Sequence, residues 1–235
     1  MAKSKYKRIL LKLSGEAFQK RDTGEALDAE ALRRNAEQIK QAKDLGIQIA
    51  IVVGGGNIFR GEFGTELGIG RTTGDHMGML GTVINALALQ SALEGVGVST
   101  RVMTAIEIKA VAEPFIRRRA LHHLEKDRIV IFGAGTGNPY FSTDSAAALR
   151  ANEIDCDALL KATKVDGVYD DDPIKNPDAT RYSEISYEAA IQQRLRIMDT
   201  TAFSLCMDKN IPIVVFDFFK PGEILRILAG ESVGT

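Results

Sequence analysis

The chain has 235 residues, 45% of them hydrophobic, and its 30 basic and 31 acidic side chains leave a formal net charge of −1. That much apolar material can bury a sizeable core, as one large domain or two tightly joined halves, and the balanced charge excludes a whole-chain field suited to non-specific nucleic-acid or anionic-membrane binding. No apolar run approaches the ~20 residues of a membrane span, the N-terminus lacks a signal-like stretch, and Cys156 and Cys206 lack metal-ligand spacing, so a cytoplasmic chain with two reduced core thiols is expected.

The first predicted strand, Arg8 to Leu13, runs into Lys12-Leu13-Ser14-Gly15. A lysine and backbone donors there can meet one phosphate, although the same residues also suit a strand-end lysine reaching solvent beside a turn. Asp28 is placed to cap a helix whose Leu32, Ala36, Ile39 and Ala42 recur at spacings of three and four, with Gly46 ending it. A second strand, Ile47 to Val53, completes a βαβ unit and leads into Gly54-Gly55-Gly56-Asn57. Three glycines are entropically costly to order and leave backbone open to a ligand, and Arg60 is within reach of the same anion if a short helix begins there.

A long helix, Asp75 to Leu93, carries Met79, Val83, Ala86, Leu87 and Leu93 among many small residues, which predicts burial on much of its surface. Asp75 suits either an N-cap or an acceptor for ligand hydroxyls, and His76 reads as structural. After a strand from Val98 to Met103, a helix from about Pro114 to Leu124 spreads Arg117, Arg118 and Arg119 around its circumference, which reads as a solvated or subunit-contacting surface. His122 and His123 read as surface residues.

A strand from Arg128 to Phe132 precedes Gly133-Ala134-Gly135-Thr136-Gly137-Asn138. A dinucleotide fingerprint would need its third glycine at position 138, which is Asn, and Pro139 obstructs the helix that should follow, so a Rossmann dehydrogenase is disfavoured. The run from Thr136 to Asp144 offers hydroxyls, an amide and an aromatic ring before a helix starting near Thr143, a surface suited to a polar base or sugar.

The remaining elements are a strand at Ala158 to Leu160, a long ordered loop from Val165 to Pro177, helices at Ser186 to Arg194 and Asp199 to Asp208, a strand at Ile213 to Phe216, and a short helix after Pro221. Asp170, Asp171 and Asp172 are consecutive and cannot all converge on one ion, so a turn with one functional acid is expected. No nucleophile triad or isolated metal cage is present. Strands apolar on both faces, alternating with amphipathic helices, predict an α/β fold with a mostly parallel central sheet and helices on both faces. No linker or repeat divides the chain, so a single domain, 1–235, with two lobes sharing one sheet is expected.

Five ordered blocks carry a resemblance: Lys12-Leu13-Ser14-Gly15-Glu16; Gly54-Gly55-Gly56-Asn57 with Phe59-Arg60-Gly61; Gly74-Asp75-His76-Met77-Gly78-Met79; Gly135-Thr136-Gly137-Asn138-Pro139; and Ala162-Thr163-Lys164-Val165-Asp166-Gly167-Val168-Tyr169. Together they resemble the bacterial UMP kinases, a branch of the amino-acid kinase superfamily, over nearly the whole chain. The resemblance implies a three-layer αβα sandwich, transfer of the ATP γ-phosphoryl group to UMP in pyrimidine nucleotide biosynthesis, Mg²⁺ with ATP, and a cytoplasmic homohexamer activated by GTP and inhibited by UTP. The N-terminal lobe would mainly bind UMP and the C-terminal lobe ATP.

By matching position, the resemblance places Lys12, Leu13, Ser14, Gly15, Gly56 and Arg60 beside the ATP phosphates and Thr163, Tyr169 and Asp172 at adenosine. The UMP site would take Gly55, Asp75, Thr136, Gly137, Asn138, Pro139, Tyr140, Phe141, Ser142 and Thr143, with Asp75 at the ribose and Thr136, Asn138 and Thr143 near uracil. Lys12 becomes the main transition-state cation, with Asp144 and Asp199 orienting lysine or magnesium, and Lys161 and Lys164 as weaker candidates. The segment Lys20 to Glu25 stands where relatives carry a loop linked to GTP activation, without its glycine-rich pattern. Gln90 and Ser91 stand where some carry Arg-Asp, and Arg101 remains as an anion contact.

Overall fold

The computed structural model describes residues 4–20, 22–195 and 197–235, so position 21 of the Lys20 to Glu25 segment lies outside the described residues. Its strands are β1 (Arg8–Leu13), β2 (Gln48–Val53), β3 (Thr100–Thr104), β4 (Glu113–Pro114), β5 (Ile129–Gly133), β6 (Ala158–Thr163) and β7 (Ile213–Asp217). They form one sheet in the order β4-β3-β5-β2-β1-β6-β7, with every neighbouring pair parallel. The predicted α/β class and parallel central sheet therefore hold.

Side-chain alternation sorts each central strand between two cores. Ile9, Leu11 and Leu13 of β1 join Ile49, Ile51 and Val53 of β2 on one face, under α1 (Ala29–Lys43), α3 (Arg71–Gly95) and α8 (Glu223–Leu228). Leu10, Ala50, Val52, Val130 and Phe132 face the other way, under α4 (Arg117–Glu125), α5 (Thr143–Glu153) and α7 (Thr200–Asp208). Two smaller helices, α2 (Gly61–Glu66) and α6 (Tyr187–Gln192), complete the described set. Cys156 and Cys206 are free and buried in the second core, and burial pushes the Cys206 thiol up to about 12.

The cap expected at Asp28 forms, and side chains cap α5 and α7 as well. Asp28 accepts from the Ala31 N–H at the start of α1, Ser142 from Asp144 and Ser145 at the start of α5, and Asp199 from Ala202 at the start of α7. α3 instead starts at Arg71, four residues before Asp75, with Gly70 in the cap position and no side-chain cap bond. Asp75 is thus one turn inside the helix and not its N-cap. Pro114, expected in a helix, pairs with Thr104 as part of β4, because the residue before a proline favours extended backbone and α4 begins only at Arg117. His123 is buried, not superficial, between Glu113 at 3.1 Å and Arg128 at 3.0 Å, whereas His122 is exposed.

β6 runs three residues beyond the predicted Leu160, because its ladders to β1 and β7 continue through the polar Lys161 and Thr163. β1 has β2 on one side and β6 on the other, so the chain reverses its direction of growth across the sheet there. The carboxyl ends of strands at such a switch leave the crevice in which open α/β sheets bind ligands.

Two of the three consecutive glycines are needed for packing. A Cβ at Gly55 would stand 2.5 Å from the Gly78 carbonyl oxygen and 2.8 Å from the Thr82 nitrogen of α3, and one at Gly54 would stand 3.0 Å from the Gly15 nitrogen. At Gly56 the nearest neighbour is the flexible Arg60 side chain, 3.6 Å away. Gly55→Ala should therefore lower the unfolding free energy by about 2 kcal/mol or more through overpacking, whereas Gly56→Ala should stay within about 0.5 kcal/mol of the parent in urea denaturation. Equal effects at the two positions would contradict this assignment.

Candidate active site

Parallel pairing of β1 with β6 sets Lys12 directly beside Lys161, and alternation puts both on the Leu10 face, under the first turn of α5. Neighbouring strands are about 4.8 Å apart, so the two ammonium groups repel unless an anion joins them. Asp144, the second residue of α5, is that anion. Lys12 Nζ lies 2.9 Å from its Oδ1 and Lys161 Nζ 2.6 Å from its Oδ2, with the three side chains only 12–16% exposed. Lys161 also donates to the Ile197 carbonyl. The Lys12 contact leaves Oδ1 with accepting capacity in a buried place.

Burial pushes the Asp144 carboxyl upward, but Lys12 and Lys161 outweigh it and hold it below the ordinary aspartate range. For Lys161, burial acts downward and is only partly offset by Asp144, while Lys12 alongside adds repulsion. With the carboxylate held charged between them, the two lysines are aimed at the crevice. Lys161 therefore belongs at the centre of the site and Lys164 at its mouth. The register that pairs Lys161 with Lys12 is a tertiary fact which no local motif announces.

Lys12 and Lys161 line a cavity of about 280 Å³ together with Ser14, Thr163 and Val165. It shares Glu16, Lys164 and Phe219 with an outer hollow of about 480 Å³. A second cavity of about 470 Å³ is lined by Gly55, Gly56, Arg60, Asp75, Thr136 and Thr143, with Gly135, Phe141 and Ser142 also in its wall. The two adjoin where Arg60 of the second cavity meets Glu16 of the first.

Asp75 connects α3 to the loop after β5. Its carboxylate accepts from Arg71 Nε at 2.9 and 3.0 Å and from the Tyr140 N–H at 2.8 Å. Tyr140 takes up φ of 70°, a strained backbone for a bulky residue, and its ring lies 5.6 Å from the Arg71 guanidinium. Gly137, Asn138, Pro139 and Tyr140 form the outer turn of this loop and do not line the cavity, whereas Thr136, Phe141, Ser142 and Thr143 do.

Several expected residues take other positions. The Leu13 side chain is wholly in the core, leaving only its backbone near the loops. Gly15 has its side-chain position against Asn57, with a Cβ there 2.1 Å from Oδ1, so it admits the neighbouring loop. Both Asp199 oxygens are engaged, Oδ1 by the Ser145 hydroxyl and the Ala202 N–H and Oδ2 by the Ser142 hydroxyl, and among the described residues none of its hydrogen bonds goes to a lysine. Tyr169 donates to Asp166, and Asp172 accepts from the Ile174 N–H; neither lines the cavities. Asp170 and Asp171 likewise accept from the Thr180 and Asp172 N–H groups, so all three acids shape the turn.

Among the described residues no group of three or more His, Cys, Asp or Glu side chains could hold a metal ion. Mg²⁺ needs no such cage when substrate phosphates supply most of its ligands, and Asp144 Oδ1 is a carboxylate oxygen with capacity to spare.

The profile of the Amino acid kinase family matches residues 7–217. A UMP kinase from Bacillus anthracis is 46% identical, with a TM-score of 0.95, covering 98% of this chain and 95% of that one. A UMP kinase from Ureaplasma parvum is 39% identical with a TM-score of 0.91, covering 97% of each chain. A uridylate kinase from Archaeoglobus fulgidus is 28% identical with a TM-score of 0.75, covering 97% of this chain and 98% of that one.

Asp144→Asn would leave two buried ammonium groups without their counter-ion, a loss on the order of 3 kcal/mol in unfolding free energy near neutral pH. Because the folded pKa of Asp144 is lowered, its contribution is full above the unfolded value of about 3.9 and disappears as pH falls through the folded value. The stability difference between parent and variant, measured by urea unfolding across pH, should therefore shrink below about pH 4. A constant difference down to acid pH would refute the assigned charge.

Proposed function

Because the chain belongs to the amino acid kinase family, we propose that it is a UMP kinase, transferring the γ-phosphoryl group of ATP to UMP to give UDP and ADP. The observation that carries this reading is the Lys12–Asp144–Lys161 trio, whose lysines line one cavity while α5 presents Thr143 to the other. Likeness to UMP kinases along nearly the whole chain supports the choice of acceptor.

In this reading ATP phosphates lie in the first cavity against Lys12, Ser14 and the Lys12 to Gly15 backbone, with Thr163 toward adenosine and Tyr169 and Asp172 in the loop beyond the cavity wall. UMP lies in the second, its phosphate near Gly55, its ribose hydroxyls at Asp75, and its uracil toward Thr136 and Thr143 with Asn138 in the adjoining turn, while Gly56 and Arg60 serve the ATP phosphates from where the two cavities adjoin. An oxygen of the UMP phosphate bonds to the γ-phosphorus as the bond to the β,γ-bridging oxygen breaks, leaving ADP. A phosphate monoester has its second pKa near ~6, so the attacking oxygen is already ionised near neutrality and no general base is required.

What the chain must supply is alignment and positive charge. Lys12 and Lys161 face the charge that builds on the transferred group, and Asp144 fixes them without taking a proton. Asp199 acts at one remove, holding Ser142 and Ser145 and so the first turn of α5. Asp144 is the carboxylate that would hold Mg²⁺ arriving with ATP, which would supply further charge neutralisation.

The proposed form is a cytoplasmic homohexamer in pyrimidine nucleotide synthesis. Leu80 and Ile84, one turn apart on α3 and 47% and 45% exposed, support self-association. No helix among the described residues is long and apolar enough to cross a membrane.

Incubation with Mg-ATP and each nucleoside monophosphate should yield UDP in preference to any other diphosphate. Failure to prefer UMP would sink the proposal, and binding of both nucleotides without turnover would favour a non-catalytic binding protein. Lys12→Ala and Lys161→Ala should each lower turnover by ~100-fold or more, as for loss of a preorganised oxyanion donor. Near-normal turnover in either variant would remove that lysine from its role.

A further inference from the structure

Glu16 sits in the single-turn 3-10 helix Gly15–Phe18 that follows β1. Its two carboxylate oxygens go to opposite sides of the crevice. Oε1 accepts from Arg60 Nη2 at 2.5 Å, and Oε2 lies 2.6 Å from Lys164 Nζ. Arg60 belongs to the loop beyond β2 and lines the second cavity, whereas Lys164 follows β6 and lines the first. Both cations are about 60% exposed and Glu16 is 28% exposed, so the bridge spans the mouth, where the two cavities adjoin.

The arrangement repeats the buried trio at the surface, one carboxylate between two cations drawn from different loops. The buried version is closed in by α5 and the sheet and cannot be traded away. The outer one is solvent-facing, and exposed ion pairs are weak and screened by salt. Lys164, burial and Arg60 together leave the Glu16 carboxyl below its ordinary range, the hydrogen bond from Lys164 being the largest influence and burial opposing it. It is therefore anionic near neutral pH, where a nucleotide phosphate is anionic too, and competes with it for the same two cations.

We propose that Glu16 is a displaceable stand-in for a polyphosphate. Its carboxylate occupies Arg60 and Lys164 in the ligand-free protein, and the polyphosphate of the donor takes these cations from it on binding. The inference rests on reading the first cavity as the donor site. Glu16 is thus a positioning residue: it keeps two long, exposed cations gathered over the junction, at the expense of some donor affinity.

The test is titration calorimetry of the whole chain with inorganic tripolyphosphate, on parent, Glu16→Gln, Glu16→Ala and Glu16→Asp. Removal of the competing charge in Glu16→Gln and Glu16→Ala should tighten tripolyphosphate binding by ~3- to 10-fold at low salt, the span expected of one or two exposed ion pairs, and by less at high salt. Glu16→Asp, which keeps the charge, should stay within about 2-fold of the parent. The KM for ATP should fall in parallel with the dissociation constant while the KM for UMP does not. Unchanged or weaker tripolyphosphate binding in both neutral variants would overturn the proposal, as would a defect relieved only by raising Mg²⁺, which would make Glu16 a metal ligand. Tighter tripolyphosphate binding in a chain without UMP turnover would keep the stand-in and reject the acceptor assignment; UMP turnover without tighter binding would do the reverse.

Discussion

Two like charges placed side by side in a parallel sheet are the constraint on which the site depends. Lys12 and Lys161 are paired by the same register that aligns Leu10 with Leu159, so they cannot separate without unzipping β1 from β6. Each apolar pair in that ladder holds the cations in position, and Asp144 relieves the repulsion from above. Fold stability and the field of the crevice are therefore one problem, in which the core supplies the register and the register supplies the charge density. A mobile loop lysine could carry the same charge, but ordering it at the moment of reaction would cost conformational entropy.

Around that fixed centre the crevice is graded in rigidity. The trio is enclosed, Asp199 locks the first turn of α5 through two serine hydroxyls, and Asp75 ties a strained Tyr140 backbone to α3. Farther out, Glu16 holds Arg60 and Lys164 through exposed ion pairs, with one further bond from Arg60 Nε to the Gly56 carbonyl. Groups that must face the reacting atoms are thus preorganised, and those that admit the ligand are held by interactions weak enough to exchange.

Much of this was legible in the sequence where burial or local capping dictates the answer. The apolar strands gave the α/β class, and Asp28, Ser142 and Asp199 sit at helix starts because a short acceptor before an apolar-periodic run has few other uses. The failures are equally physical. Gly70 caps α3 without a side chain, so the acid at Asp75 drew the boundary toward itself. β4 is only two residues long and survives by borrowing the edge of β3. Lys161 broke the apolar run of β6 and made the strand look finished at Leu160, which concealed both the register and the second central lysine. His123 follows an exposed neighbour in sequence but turns inward to Glu113 and Arg128. A resemblance could mark which loops matter, but it could not say that Leu13 turns into the core or that the Asp199 oxygens are already spent.

The glycines after β2 carry a consequence for engineering. Replacing glycine by alanine where the backbone permits it usually stabilises a protein by ~0.4–1 kcal/mol, because the unfolded chain has less freedom to lose. Gly54 and Gly55 are closed to that route by the backbone of the Ser14-Gly15 loop and of α3. Gly56 is sterically open to it, with φ outside the left-handed region, and it is also the glycine of the three whose vacant side faces space a substrate can enter. The easiest methyl to add for thermostability would be spent in the ligand's own volume, which sets stability against activity at a single hydrogen atom.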